Sequence, residues 1–145
     1  MPDRAALSDD GNSFSPRGEE DIDQLQLHRY LSVVPFVQDR DVLDIACGES
    51  YGVCVLAAIS RRVTAVDIDR PTIARANTHY TSDNLRFLAG EAEAIPLDDA
   101  SVDCVVAFEP LAHIADHKVF LSEVRRVLRP NGVFYIALPD TRLPV

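Results

Sequence analysis

Apolar side chains recur along this chain in two periods, and the switches between them divide it into alternating helices and strands. Leu27, Tyr30, Leu31 and Val34 fall at i, i+3, i+4 and i+7, which predicts a helix from Asp21 that Pro35 stops. Residues 42–46 (VLDIA) form a short apolar run bounded by charge and by Gly48, the mark of a buried strand. Residues 51–59 are apolar nearly all round, predicting a helix packed under a sheet with Ser50 as its N-cap. A second strand follows over residues 63–66 and ends at Asp67. Asp69 and Pro71, a cap and a first-turn proline, then open a helix with Ile73, Ala76 and Tyr80 on one face.

Residues 85–88 and 102–108 predict strands three and four, separated by a turn-rich segment with Pro96, Asp98 and Asp99. A last helix is expected over residues 116–128, with Phe120, Val124, Val127 and Leu128 facing inward; Pro130, Asn131 and Gly132 break it before a fifth strand at 133–138. Strands that are apolar on both faces and alternate with helices call for an α/β fold, a doubly wound, Rossmann-like parallel sheet of about five strands with right-handed crossovers and helices on both faces.

Composition narrows the picture. The length, 145 residues, suits one domain. Residues 1–20 hold almost no bulky apolar side chain and are expected to be a disordered acidic tail, with the folded domain over 21–145. No apolar run approaches the roughly 18 residues of a membrane helix, and the polar, acidic N-terminus does not read as a signal peptide, so a cytoplasmic protein without a membrane partner is expected. A net charge of −9 repels phosphate backbones and argues against nucleic acid as a partner. Cys47, Cys54 and Cys104 lie in apolar segments without metal-ligand spacing, so free buried thiols and no metal are expected.

In a doubly wound sheet, ligands lie beyond the C-terminal ends of the strands. Ala46, Cys47, Gly48, Glu49 and Ser50 follow the first strand, Asp67 closes the second, Gly90 and Glu91 follow the third, and Glu109 and His113 follow the fourth. Small residues between strand and helix let backbone approach a ligand, and an acid ending strand two can accept from both hydroxyls of a ribose. The only lysine, Lys118, is far from any glycine-rich loop, so a Walker loop is absent. The loop also lacks GxGxxG, and Asp44 and Glu49 beside it would repel a pyrophosphate, which counts against a nicotinamide oxidoreductase. The same acids suit a nucleoside with a positive end, carrying an ammonium and a sulfonium.

At these residues the chain resembles the class I methyltransferases that use S-adenosylmethionine. VLDIACGESYG is similar to the family's first motif, VLDxGCGxG, and the likeness continues through VTAVDID and NLRFLAGEAEAIPLDDASVDCVVAFE to FLSEVRRVLRPNGVFYIALPD. It resembles most a subgroup whose loop reads ACGEGYGS. The resemblance implies S-adenosylmethionine as cofactor, with its methionine part over Ala46, Cys47 and Gly48 and its ammonium near Asp44. It further implies the ribose at Asp67, the adenine against Ile68 with Glu91 and the Ala92 amide at its edge, and Glu109 lining the site. The competing roles are turn caps for Asp44 and Asp67 and a solvated charge for Glu91.

His113 matches the histidine of the family's FExxEH segment, and a histidine titrating near neutrality suits a general base, while the bland alternative is a backbone-bonded residue at a helix start. His28 and Arg29 sit where related enzymes cover the cofactor; the Arg61–Arg62 and Arg125–Arg126 pairs are expected to complement helix dipoles. The resemblance thus implies methyl transfer to a small-molecule or sugar acceptor, at oxygen, or, as the alternative, a catalytically weak or inactive fragment that acts as a binding module.

Ser50 replaces the subgroup's glycine, which crowds the cofactor or requires a positive φ at about 1 kcal/mol or more. Pro110, Ala112 and Asn131 are further departures. The family's C-terminal antiparallel strands are not found after residue 138, so the domain is expected to be truncated, with self-association through the exposed edge of the fifth strand.

Overall fold

The computed structural model describes residues 20–48, 52–108 and 114–138. In chain order the elements are α1 (Glu20–Ser32), α2 (Val34–Val37), β1 (Asp41–Ile45), α3 (Gly52–Ile59), β2 (Arg62–Asp67), α4 (Arg70–His79), β3 (Leu85–Ala89), β4 (Val102–Phe108), α5 (His117–Val127) and β5 (Leu128–Ala137). The strands form one sheet in the order β3-β2-β1-β4-β5. Every pairing is parallel. The expected five-stranded α/β sheet is therefore present.

Strand alternation sorts the core into two layers. Val42, Val63, Ala65 and Phe87 join Val53 and Leu56 of α3 and Ile73 and Ala76 of α4 on one face. Leu43, Ile45 and Val105 meet Phe120, Val124 and Val127 of α5 on the other. The aspartate cap expected for α4 is present, and α5 has an aspartate cap as well. Asp69 accepts from the Thr72 amide, and Asp116 accepts from the Lys118 and Val119 amides.

Four expectations need correction. Pro35 does not end a single helix: α1 stops at Ser32 and Pro35 lies in the first turn of α2, where its missing N–H leaves no helical bond unmade. The chain's inward face there is Tyr30, Val33 and Val37, while Leu31 is half exposed. The Pro130-Asn131-Gly132 segment does not separate α5 from β5. It lies inside β5 as a bulge, where register shifts between Val102 and Cys104 and Asn131 takes φ 65°. A Cβ on Gly132 would lie 2.9 Å from the Arg129 carbonyl oxygen, so the bulge excludes a side chain there. Among the thiols, Cys47 and Cys104 are buried, but Cys54 is only half-buried on α3. The expected tail over 1–20 lies outside the described residues save Glu20, and so do the Ser50 cap and the chain after Leu138.

Candidate functional site

The C-terminal end of β1 turns back on β2 through its amides. Ala46 and Cys47 both donate to the Val66 carbonyl (2.9 and 3.4 Å), and Gly48 donates to Asp67 Oδ2 (2.9 Å). Three consecutive N–H groups are thus committed to β2 and are not gathered for a phosphate. The turn requires left-handed backbone at Ala46 (φ 60°) and Gly48 (φ 56°), and Ala46 holds this conformation at a strain of about 1 kcal/mol. Among the described residues, nothing lies within 4 Å of where a Gly48 Cβ would stand.

Asp67 closes the turn from below. Its Oδ1 accepts from the Asp69 amide at 2.9 Å while Oδ2 takes Gly48, so the carboxylate is held rigidly between two loops. Each oxygen keeps a further lone pair for a ligand. The turn-bracing role expected as the alternative for Asp67 is present, and the side chain also lines the cleft described below.

Asp44 is placed differently from Asp67. It points to the α1 face of the sheet, 1% exposed, and accepts a 2.7 Å hydrogen bond from the Tyr30 hydroxyl. Burial pushes its carboxyl up to about 7, and the neighbouring Asp67 adds to the rise against the lowering bond from Tyr30. A Cβ on Gly52 would fall 2.1 Å from the Tyr30 ring, so the absent side chain at the start of α3 makes room for the tyrosine. Burial likewise raises the Cys47 thiol far above its ordinary range, with Asp44 and Asp67 adding to it, which makes a neutral packing group of it rather than a nucleophile.

Above these residues lies a cleft of about 480 Å3. Ala46, Gly48, Asp67 and Ile68 form one wall; Ala92 and Glu93 form the other; Phe108 and Ile114 close the end toward β4. Ile68 is 68% exposed, an apolar platform beside an acid. The mix of apolar surface with a few placed polar groups is the usual make-up of a small-molecule site.

Of the expected residues, Ala46, Gly48, Asp67, Ile68 and Ala92 line this cleft. Asp44 and Cys47 are buried and do not line it. Glu91 is exposed and does not line it, whereas Glu93, which the sequence reading passed over, does. Glu109 and His113 lie outside the described residues, as do Glu49, Ser50, Pro110 and Ala112. His28 is exposed on α1. Among the described residues, no group of three His, Cys, Asp or Glu is placed to hold a metal ion, and no helix is long and apolar enough to cross a membrane.

The second wall is secured from α5. Glu93 Oε1 accepts from the Ala115 amide at 2.9 Å. Glu123 Oε2 accepts from the Ile95 amide (2.8 Å), and Arg126 donates to the carbonyls of Ile95 (2.9 Å) and Leu97 (2.8 Å) and to Asp99 (2.9 Å). Arg126 is therefore a loop clamp and not chiefly a dipole partner, and Arg61 is likewise engaged by Asp41. The Glu123–Arg126 spacing of i, i+3 was the only sequence signal for the clamp.

The family described as Methyltransferase domain matches residues 43–136, from β1 to the end of β5. The chain belongs to this methyltransferase family. A probable S-adenosylmethionine-dependent methyltransferase of Mycolicibacterium smegmatis is 44% identical over 101 residues, 70% of this chain and 38% of that protein. The fatty-acid O-methyltransferase of the same organism is 31% identical over 76% of this chain and 41% of its own length. The chain thus spans about two-fifths of the length of these relatives. A chain of the complex between the Haloferax volcanii Trm112 methyltransferase activator and its methyltransferase superposes with TM-score 0.74 at 30% identity, covering 92% of this chain and 58% of that one. S-adenosylmethionine is the cofactor of this methyltransferase family, and the cleft fits it: an acid held against the turn's backbone with an exposed apolar residue beside it.

Proposed function

We propose that this chain binds S-adenosylmethionine in the cleft after β1 and β2 and directs its methyl group to an oxygen of a small-molecule or sugar acceptor. The observation that carries the reading is Asp67: a carboxylate fixed by two backbone amides at the mouth of a partly apolar cleft, with Ile68 exposed at its side. Asp67 accepts from the ribose hydroxyls, Ile68 packs on the adenine and the Ala92 amide meets its edge. Glu91 is exposed, and Glu93 is the acid on that wall. Asp44, buried in β1, balances the ammonium when its carboxylate is ionised.

When bound, the cofactor supplies an electrophilic methyl on a sulfonium. The protein's part would be alignment, holding the acceptor oxygen in line with that methyl group. His113, with Glu109 nearby in sequence, takes the hydroxyl proton in this reading. Oxygen as the acceptor atom is supported by the name of the fatty-acid O-methyltransferase relative.

Calorimetry with S-adenosylhomocysteine tests the site. Asp67→Ala is expected to lose about 1.5 to 3 kcal/mol of binding, and unchanged affinity would sink the assignment. A mass-spectrometric screen of sugar and small hydroxylic acceptors tests the reaction through a gain of one methyl. His113→Ala is expected to lower turnover with cofactor affinity intact. Binding with no methyl gain on any acceptor would instead leave the reading as a binding module.

A further inference from the structure

At the end of the sheet opposite the cleft, where β1, β2 and β4 begin, a second cavity of about 360 Å3 opens. Arg62, Arg86 and Arg129 reach its wall with the hydroxyl-bearing Thr64 and Ser101. The acids nearby do not absorb all of this charge. Asp41 takes Arg61 through two bonds (3.0 and 2.9 Å) and Arg129 through a third (2.9 Å). Asp103 takes Arg129 at 3.1 Å and Arg61 at 3.4 Å. Two carboxylates and two guanidinium groups are thereby matched.

Arg62 and Arg86 are held more loosely, Arg62 only at the outer edge of an ion pair with Asp41. Arg62 comes no closer than 3.9 Å to Asp41, beyond hydrogen-bond reach. Arg86 spends its Nε–H on Thr64 Oγ1 at 3.1 Å and has no ion pair among the described residues. Asp98, the remaining acid on the wall, is exposed. Two solvent-exposed guanidinium groups with hydrogen-bond donors to spare, Arg62 also within 3.9 Å of Asp41, therefore reach a small polar cavity in a chain whose net charge is −9. A guanidinium fork matches an oxyanion with paired parallel bonds. The surrounding negative field disfavours an extended polyanion and tolerates a compact one.

We propose that this cavity is a binding site for a small phosphate-bearing molecule, held by Arg86 and Arg62 and separate from the cofactor cleft. The experiment titrates the protein, saturated with S-adenosylhomocysteine, with inorganic phosphate, inorganic pyrophosphate and glycerol 3-phosphate, at ionic strength held constant with sodium chloride, by calorimetry and 31P line broadening. Saturable binding is expected with at least one of them, weakened at least tenfold by Arg86→Gln and by Arg62→Gln, each variant keeping its affinity for S-adenosylhomocysteine as proof of folding. Tighter binding of glycerol 3-phosphate than of inorganic phosphate identifies an organic ester as the ligand, and the reverse order identifies the free anion. The proposal is overturned if no probe saturates, if chloride alone reproduces the signal, if both variants bind as the parent does, or if the probe competes with S-adenosylhomocysteine.

Discussion

Asp44 is an acid placed where the fold would prefer none. An ionised carboxylate in an apolar layer is costly, and a single hydroxyl from Tyr30 offsets only part of that cost. Its raised pKa, to about 7, means that the folded chain holds the proton more tightly than the unfolded chain, so Asp44 favours folding below the ordinary carboxylate range and loses that contribution as pH rises toward 7. Asp44→Asn keeps the acceptor for Tyr30 and removes the charge. Thermal denaturation is expected to show a higher Tm than the parent at pH 8 and an equal one at pH 4, with weaker S-adenosylhomocysteine binding at pH 8. A lower Tm at pH 8 would contradict this account. Gly52→Ala attacks the same pair from the other side, since its Cβ must displace the Tyr30 ring, and a destabilisation of about 2 kcal/mol by urea unfolding is expected.

The segment between β3 and β4 has little regular structure of its own, and its shape is imposed by α5. Glu123 and Arg126 hold its backbone at Ile95 and Leu97, while Glu93 reaches forward to the start of α5. Ala92 and Glu93 line the cleft, so a helix distant in sequence positions a cofactor wall. Glu123→Ala leaves Arg126 with the exposed Asp99 as its acid partner and frees the Ile95 amide, at about 1 to 3 kcal/mol of stability. Hydrogen exchange is expected to speed up at Ile95, and cofactor affinity to fall although Glu123 touches no ligand. Unaltered exchange at Ile95 would remove the clamp. The turn chemistry around Pro96 predicted a loop here; the loop's path was not legible, because its anchors are donors and acceptors supplied by another element.

Two ends of one sheet respond to pH in opposite senses. At the strand N-termini, the Arg61 and Arg129 guanidinium groups hold the Asp41 carboxyl down to about 2 against its burial. Its stabilisation is complete above the ordinary pKa of 3.8 and is lost as pH falls through 2. Because the arginines are partly exposed, this is worth between about 1 and 2 kcal/mol. Asp103 and Glu123, also lowered, add to the same acid limb. Asp44, at the other end, acts above that range. The ligand-free chain is therefore expected to be most stable at roughly pH 4 to 5, between these transitions, and circular dichroism melts at pH 3, 5 and 8 check it. A Tm that climbs steadily from pH 5 to pH 8 would show that Asp44 is ionised at little cost.

Element types, the parallel sheet, the aspartate cap of α4 and the small-residue turn followed by Asp67 are readable from the chain alone, because each follows from a local period, a capping side chain or a residue's place just after a strand. The extra turn at Pro35 and the bulge at Asn131 are only half readable, since proline and glycine mark a disturbance without saying whether the chain breaks or bends. Packing settled the rest. Tyr30 and Asp44 stand 14 residues apart, Glu93 and Ala115 22, and Arg126 and Ile95 31. No periodicity relates such pairs. Which glutamate of Glu91 and Glu93 faces the cleft, and whether Asp44 lines it or is buried, depend on how far the sheet twists and where the helices come to rest. Hydrogen bonds over those distances form only after burial has brought the layers together.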